Sequence, residues 1–343
     1  MNTIQHLVRK NIIKMQPYLS ARLEYTGAEA IFLDANESPN GQLNRYPDPN
    51  QQALKNKLSE IKKVPTDNIF IGNGSDEVID LACRIFCEPG LDKVLLLTPT
   101  YGMYQVSANI NNVEVISVPL KSDCQIDFDI INKHFDDKQL KLIFICSPNN
   151  PTGNIINDIE IVLQQFKGIV FVDEAYIEFS ENNSYLQKIM AYSNLIVSQT
   201  LSKAWAHAAI RVGTAYASKE IIALYNKIKP PYNISTLNQN EALKALCEID
   251  IFNKNKKEIL FQREILQKEL SALPFVIRTY KSDSNFILIE VTNANSLYTY
   301  LVNAGVIVRN RHTTINNCLR ITIGNPNQNM LLIKALHKYK SIA

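Results

Sequence analysis

The chain has 343 residues, 46% hydrophobic and 20% charged. That is enough apolar material for a sizeable core, about two domains long, and it excludes a mainly disordered chain. The 36 basic and 33 acidic residues leave a net charge of +3, too balanced to point to nucleic acid or a membrane surface as the partner.

The opening MNTIQHLVRKNIIKMQPY holds a short helix but no apolar core of the kind a secretory leader needs. No apolar run approaches the roughly 18 residues of a membrane helix. The cysteines at 83, 87, 124, 146, 247 and 318 include no CxxC, so a free-thiol, cytoplasmic protein is expected rather than a disulfide or zinc framework. No pair of histidines has ligand spacing near a suitable Cys or carboxylate, and no metal site is assigned. The first 45 residues are read as this helix followed by a Pro/Asn/Gly-rich, extended arm, NESPNGQLNRYPDP.

From 46 to 250 short β-branched apolar runs alternate with helical patterns. The runs are Val94–Leu97, Val113–Val118, Leu142–Cys146, Ile169–Val172, Leu195–Val197 and Val212–Ala217. Between them lie the amphipathic stretches Ser75–Cys87, Tyr101–Ile110 and Asp158–Phe166. Such strands predict an α/β domain with a mostly parallel sheet covered by helices on both faces. From 251 to 343 a charged helix over 251–270 leads into strands near Phe275–Ile277, Asn285–Val291, Gly305–Arg309 and Cys318–Ile323. Helices are expected near Ser296–Asn303 and Gln328–Lys340, giving a smaller α+β domain.

Four segments carry candidate chemistry. A strand over Ile69–Ile71 runs through Gly72-Asn73-Gly74 into a helix opening at Ser75; glycines allow the tight turn and the helix start attracts an anion such as phosphate. Glu77 stands where a dinucleotide fingerprint needs its third glycine. CSPNNPTG (146–153) follows a buried strand, where open α/β sheets place ligands. In IVFVDEAYIEF (169–179) Asp173 and Glu174 end four apolar residues, with Tyr176 beyond. SQTLSKAWAHAAIRVG (198–213) offers Thr200, Ser202, Lys203 and Arg211, suited to a phosphate and a nucleophilic amine. Taken singly, these segments also read as a capped helix, a stiff turn, a strand end and a surface helix. Taken together at the ends of one sheet they fit pyridoxal phosphate: an aldehyde for a lysine, a ring nitrogen for an acid, a ring oxygen for Asn and Tyr, and a phosphate for the glycine turn.

With PYLSAR, LDANESP, RYPDP, GNGSDE, PTYGMY, CSPNNPTG, VDEAYIEF, TLSKAW…IRVG, PPYNIS and CLRITIG in this order, the chain resembles the fold-type-I pyridoxal-phosphate aminotransferases over nearly its whole length. Among them it is most similar to the histidinol-phosphate aminotransferases. The resemblance implies that fold, and Lys203 joined to the cofactor as a Schiff base. It implies Asp173 on the ring nitrogen, Tyr176 and Asn150 on the ring oxygen, and Tyr101 on the ring face. Ser75 and Asp76 backbone N–H groups with Thr200, Ser202 and Arg211 would hold the phosphate, and Tyr46 would reach a partner subunit's cofactor in a homodimer with shared sites. The N-terminal segment would pack on the small domain and the partner. The implied reaction is reversible ping-pong transfer between L-histidinol phosphate and 2-oxoglutarate in histidine biosynthesis. Arg320 and Arg309, with Tyr18 and Asn36, would receive the substrate's oxyanions; Arg311 is placed to take the role of Arg309.

Three departures stand out. Ala209 adds a methyl where glycine and close packing are expected, beside Trp205 where phenylalanine is expected; and Arg309 to Arg320 is a short interval. His207 is read as a packing residue. Competing readings on the same scaffold are an aromatic or general amino-acid aminotransferase and a decarboxylase of a phosphorylated amino acid. A non-catalytic cofactor-binding regulator lacks a basic DNA-binding module here, and a phosphate-binding α/β protein is the fallback.

Overall fold

The apolar runs assemble into one sheet. The computed structural model describes residues 4–18 and 30–339. Its large sheet contains β1 (Ile69–Asn73), β2 (Lys93–Thr98), β3 (Glu114–Pro119), β4 (Leu140–Cys146), β5 (Ile169–Asp173), β6 (Leu195–Thr200) and β7 (Val212–Ala217). Their order is β1-β7-β6-β5-β4-β2-β3. Only β7 runs against its neighbours; the other pairings are parallel.

Strand alternation explains why both faces are covered. On β5, Val170 and Val172 join a cluster with Leu54, Leu58, Ile159 and Val162, from the helices Gln52–Lys62 and Ile159–Gln165. Ile169 and Phe171 join the opposite cluster with Val78, Tyr104 and Ile221, from the helices Ser75–Phe86, Met103–Ile110 and Lys219–Ile228. The carboxyl ends of β1, β2, β4, β5 and β6 consequently share one edge.

A 23-residue helix, Ile249–Ser271, carries the chain into the smaller part, so position 251 lies inside its first turn. β8 (Val276–Thr279), β9 (Phe286–Val291), β10 (Arg309–Asn310) and β11 (Cys318–Thr322) form an antiparallel sheet ordered β10-β11-β9-β8. Leu266, Leu270, Leu297, Leu301, Leu332 and Leu336 pack on it from three helices. The strand expected over Gly305–Arg309 shrinks to two residues, because Gly305 turns with φ +77° after the helix Ala294–Asn303.

Ile4, Leu7, Val8 and Ile12 fall on one helical face and bury in the large domain's cluster. Arg9 ties this segment to the helix Ser75–Phe86, its N–H donating to the Ile85 carbonyl at 3.0 Å and its Nη1 to the Arg84 carbonyl at 3.1 Å. The expected packing on the small domain is thereby corrected: the apolar stripe finds its slot on the large one. The arm over 30–49 has no regular element. Residues 19–22 of PYLSAR, and Lys340, lie outside the described residues.

Candidate active site

At the shared strand edge lies a cleft of about 480 Å³, lined by residues from every candidate segment. Parity on β5 decides which of two adjacent carboxylates enters it. Asp173, 2% exposed, faces the cleft; its Oδ2 accepts from Tyr104 Oη at 2.7 Å and its Oδ1 from the Ala175 N–H at 3.0 Å. Burial pushes its carboxyl above the ordinary range, and these two hydrogen bonds pull it back. Glu174 turns away, accepting from the Ser184 hydroxyl, the Tyr185 N–H at 2.6 Å and Gln199 Nε2 at 2.9 Å. Burial raises it to about 6.

The glycine turn forms as expected. Gly74 has φ +80°, and the helix starts at Ser75. Gly213 on β7 completes it, since a Cβ there would lie 2.2 Å from Ser75 N. The Asp76 carboxylate stands at the mouth, accepting from Tyr101 Oη at 3.1 Å and pairing with Arg211 Nη2 at 3.3 Å.

From β6 the chain delivers two hydroxyls and an amine. Thr200 Oγ1 donates to Ser202 Oγ at 3.0 Å and accepts from the Ser202 N–H at 3.1 Å. Lys203 Nζ sits 5.6 Å from the centre of the Tyr176 ring. Burial and the nearby Arg320 push its amine below the ordinary lysine value, against the opposing pull of Asp173 and Asp76. Tyr176 is almost buried and meets Phe286 edge-on at 5.1 Å.

The smaller domain closes the cleft with cations. Arg320 Nη1 donates to the buried Asn150 Oδ1, and the guanidinium lies 5.1 Å over Phe286. Arg309 is opposite Arg320 in the β10–β11 register. Arg309 is exposed and Arg311 half-buried; the Arg311 and Arg320 Nε atoms are buried without a partner. Burial and the other arginines lower the Arg311 guanidinium. Three cations therefore gather at this end, one more than a simple pair.

Tyr46, Tyr18 and Asn36 do not enter this cleft. Tyr46 stacks on Tyr232 at 4.4 Å, Tyr18 is 73% exposed, and Asn36 shares with Tyr46 a separate groove along the arm. Ala209 is exposed in this chain, where close packing was expected. Trp205 stacks on Phe252 at 4.1 Å and donates to Glu178 at 2.7 Å. His207 binds the Trp205 carbonyl, a local contact.

Sequence reasoning passed over Tyr104, Gly213 and Cys146. Tyr104 had one signal, its position three residues after Tyr101 in a stretch read as helical; the helix itself begins at Met103. Cys146 ends β4 and lines the cleft. Among the described residues no group of three or more His, Cys, Asp or Glu is arranged to hold a metal.

These residues fit a phosphorylated pyridine aldehyde. A helix start that only glycine at 213 lets approach the sheet, two adjacent hydroxyls, a buried carboxylate with both oxygens anchored and an amine of lowered basicity are the donor set it needs.

The family model for class I and II aminotransferases matches residues 23–336. A histidinol-phosphate aminotransferase of Christiangramia forsetii is 50% identical, the match covering 98% of both chains. The crystal structure of the histidinol-phosphate aminotransferase from Clostridium acetobutylicum superposes with a TM-score of 0.79 at 28% identity, over 86% of this chain and 90% of that one. A fold-level likeness, with TM-score 0.78 and 22% identity over 85% and 82% of the chains, is the Sinorhizobium meliloti histidinol-phosphate aminotransferase in complex with pyridoxal-5'-phosphate. The chain belongs to the class I and II aminotransferases and, within them, to the histidinol-phosphate aminotransferase family.

Proposed function

We propose that this chain binds pyridoxal phosphate in the cleft and transfers an amino group reversibly between L-histidinol phosphate and 2-oxoglutarate, a step of histidine biosynthesis. The observation that carries the reading is the meeting of the Lys203 amine and the buried Asp173 carboxylate in one cleft that Arg320 caps from the other domain. Relatives of the same named activity at half identity support the substrate.

When bound, the cofactor supplies an aldehyde for the amino group and a protonated ring that withdraws electrons from the reacting carbon. Lys203 would hold it through Nζ, Asp173 would meet the ring nitrogen, Tyr101 the ring face, and Asn150 and Tyr176 the ring oxygen. The Ser75 and Asp76 N–H groups, Thr200, Ser202 and Arg211 would hold its phosphate. For Arg211 this means turning from Asp76, its partner in the structure.

During turnover Lys203 Nζ would take the proton from the amino-bearing carbon of the substrate and deliver one to the cofactor's aldehyde carbon, reversing the transfer in the second half-reaction. Its lowered basicity leaves more free amine near neutral pH than an exposed lysine would have. Arg320 pairs with the substrate's phosphate or with a carboxylate of the oxo acid, because a guanidinium offers either oxyanion two parallel N–H donors. Arg309 or Arg311 assists.

Tyr18 and Asn36 would join the substrate from the arm, and Tyr46 would serve the neighbouring subunit of a cytoplasmic homodimer. The exposure of Ile31 and Leu33, each 89%, and of Leu43 suits an arm that lies on a second copy.

The test is direct. Purified protein, given pyridoxal phosphate, histidinol phosphate and 2-oxoglutarate, forms glutamate in step with loss of the amine. Faster glutamate formation from phenylalanine or another amino acid would favour the broader transaminase. Carbon dioxide from a phosphorylated amino acid, without glutamate, would favour the decarboxylase.

A further inference from the structure

We propose that Tyr104 is a positioning residue for the cofactor: its hydroxyl fixes the Asp173 carboxylate in the orientation that meets the ring nitrogen. The inference rests on the reading of the cleft as a pyridoxal-phosphate site.

Three contacts hold Tyr104 in place. It lies on the helix Met103–Ile110 and is 0% exposed. Its ring stacks on Phe144 of β4 with centroids 4.8 Å apart and planes 7° from parallel. Its edge meets Tyr101 at 5.6 Å and 85°. Tyr101 lines the cleft and Tyr104 stands behind it. The hydroxyl then reaches Asp173 Oδ2 at 2.7 Å, while the Ala175 N–H holds Oδ1. A carboxylate has about four acceptor positions, so anchoring both oxygens from behind leaves one lone pair of each for the cleft while fixing the plane of the group.

The hydroxyl is held as a donor. Burial and the adjacent carboxylate push its ionisation well above the ordinary tyrosine range, so the proton stays on Tyr104 and is donated to Asp173. That counters the burial which otherwise favours a neutral Asp173. A neutral acid would not balance a protonated ring. The other groups acting on Asp173 are Asp76 and Lys203, with Cys146, Tyr101 and Tyr176 also in its neighbourhood. Among the described residues only Tyr104 and the Ala175 backbone hydrogen-bond its carboxylate. Tyr104 thus braces two cofactor contacts together, Tyr101 through its ring and Asp173 through its hydroxyl.

The experiment compares wild type, Tyr104→Phe and Phe144→Leu. Each apoprotein is titrated with pyridoxal phosphate, the visible absorbance of each loaded protein is followed across pH, and each apoprotein is melted. Tyr104→Phe keeps the stacked ring and loses only the hydroxyl. It is expected to weaken cofactor affinity, by up to the roughly 10- to 150-fold that a lost hydrogen bond to a charged group is worth, and to move the pH midpoint of the visible band by at least about half a unit. Phe144→Leu retains the hydroxyl; it is expected to lower the melting temperature and leave that midpoint in place. Wild-type affinity and an unmoved midpoint in Tyr104→Phe would overturn the positioning role. So would a midpoint moved equally by Phe144→Leu, which would make the effect one of packing. Wild type that takes up no cofactor would overturn the pyridoxal-phosphate reading itself, and the inference with it.

Discussion

Gly213→Ala drives one methyl group into the backbone of the helix start on which the cofactor phosphate is proposed to bind. On β7, Gly213 pairs with Gly72 of β1 and with Thr200 of β6, so one residue joins the glycine turn to the hydroxyl-bearing strand end. A Cβ there would lie 2.2 Å from Ser75 N, 2.4 Å from the Gly74 carbonyl carbon and 2.7 Å from Ser75 Cα, where ordinary contact begins at 3.4 Å. All three neighbours are backbone, so the turn has to withdraw by about 1.2 Å. Overpacking of this kind costs about 1–3 kcal/mol of stability. Withdrawing the helix start also removes N–H groups from a bound anion. One hydrogen bond to a charged group is worth about 1.5–3 kcal/mol, or roughly 10- to 150-fold in affinity. The assay titrates apoprotein with pyridoxal phosphate and with unphosphorylated pyridoxal. The variant should lose affinity for the first and change little for the second. A variant that retains the full preference for the phosphorylated form would refute the phosphate cradle.

Further outcomes follow from the same geometry. Lys203→Ala should fold as wild type by circular dichroism yet lose turnover by at least about 10²-fold, the lower end of what a positioned acid–base group contributes; near-normal turnover would remove it from the reaction. Because the free amine is the active form, rate should rise with pH through a midpoint below the ordinary lysine value of 10.5. Arg320→Gln removes a positive neighbour that lowers that midpoint, so the pH profile should shift upward. Its KM for histidinol phosphate should also rise by about 30-fold or more, since truncating one partner of a buried charge pair costs about 2–5 kcal/mol. Arg309→Gln should do less on both counts, because Arg309 is exposed. Mixing Tyr46→Ala with Lys203→Ala should restore some activity through hybrid dimers, and no recovery with subunit exchange verified would count against a shared site.

The large sheet was legible because strands buried on both faces are almost wholly apolar, as Ile169–Val172 is; the small β10 carried no such pattern. Lys203, Asp173 and Asn150 were visible at strand ends, where helix-covered sheets leave backbone and polar side chains open. What stayed hidden depends on distance in space. Tyr104 meets Asp173 from 69 positions away, and nothing in PTYGMY says where its hydroxyl ends. Gly213 looks like the tail of a strand motif until Ser75 lies against it. The arm's assignment needs a second copy, since Tyr46 stacks on Tyr232 outside its own chain's cleft. Ala209 misled in the other direction, because close packing was expected at a position the fold leaves exposed.

The covalent assignment at Lys203 is tested most directly by borohydride reduction of the protein loaded with pyridoxal phosphate, followed by peptide mapping. The visible band should disappear, and the retained pyridoxyl mass should fall on Lys203, within LSKAW, and be lost in Lys203→Ala. A label on another lysine, or undiminished labelling in that variant, would contradict the account.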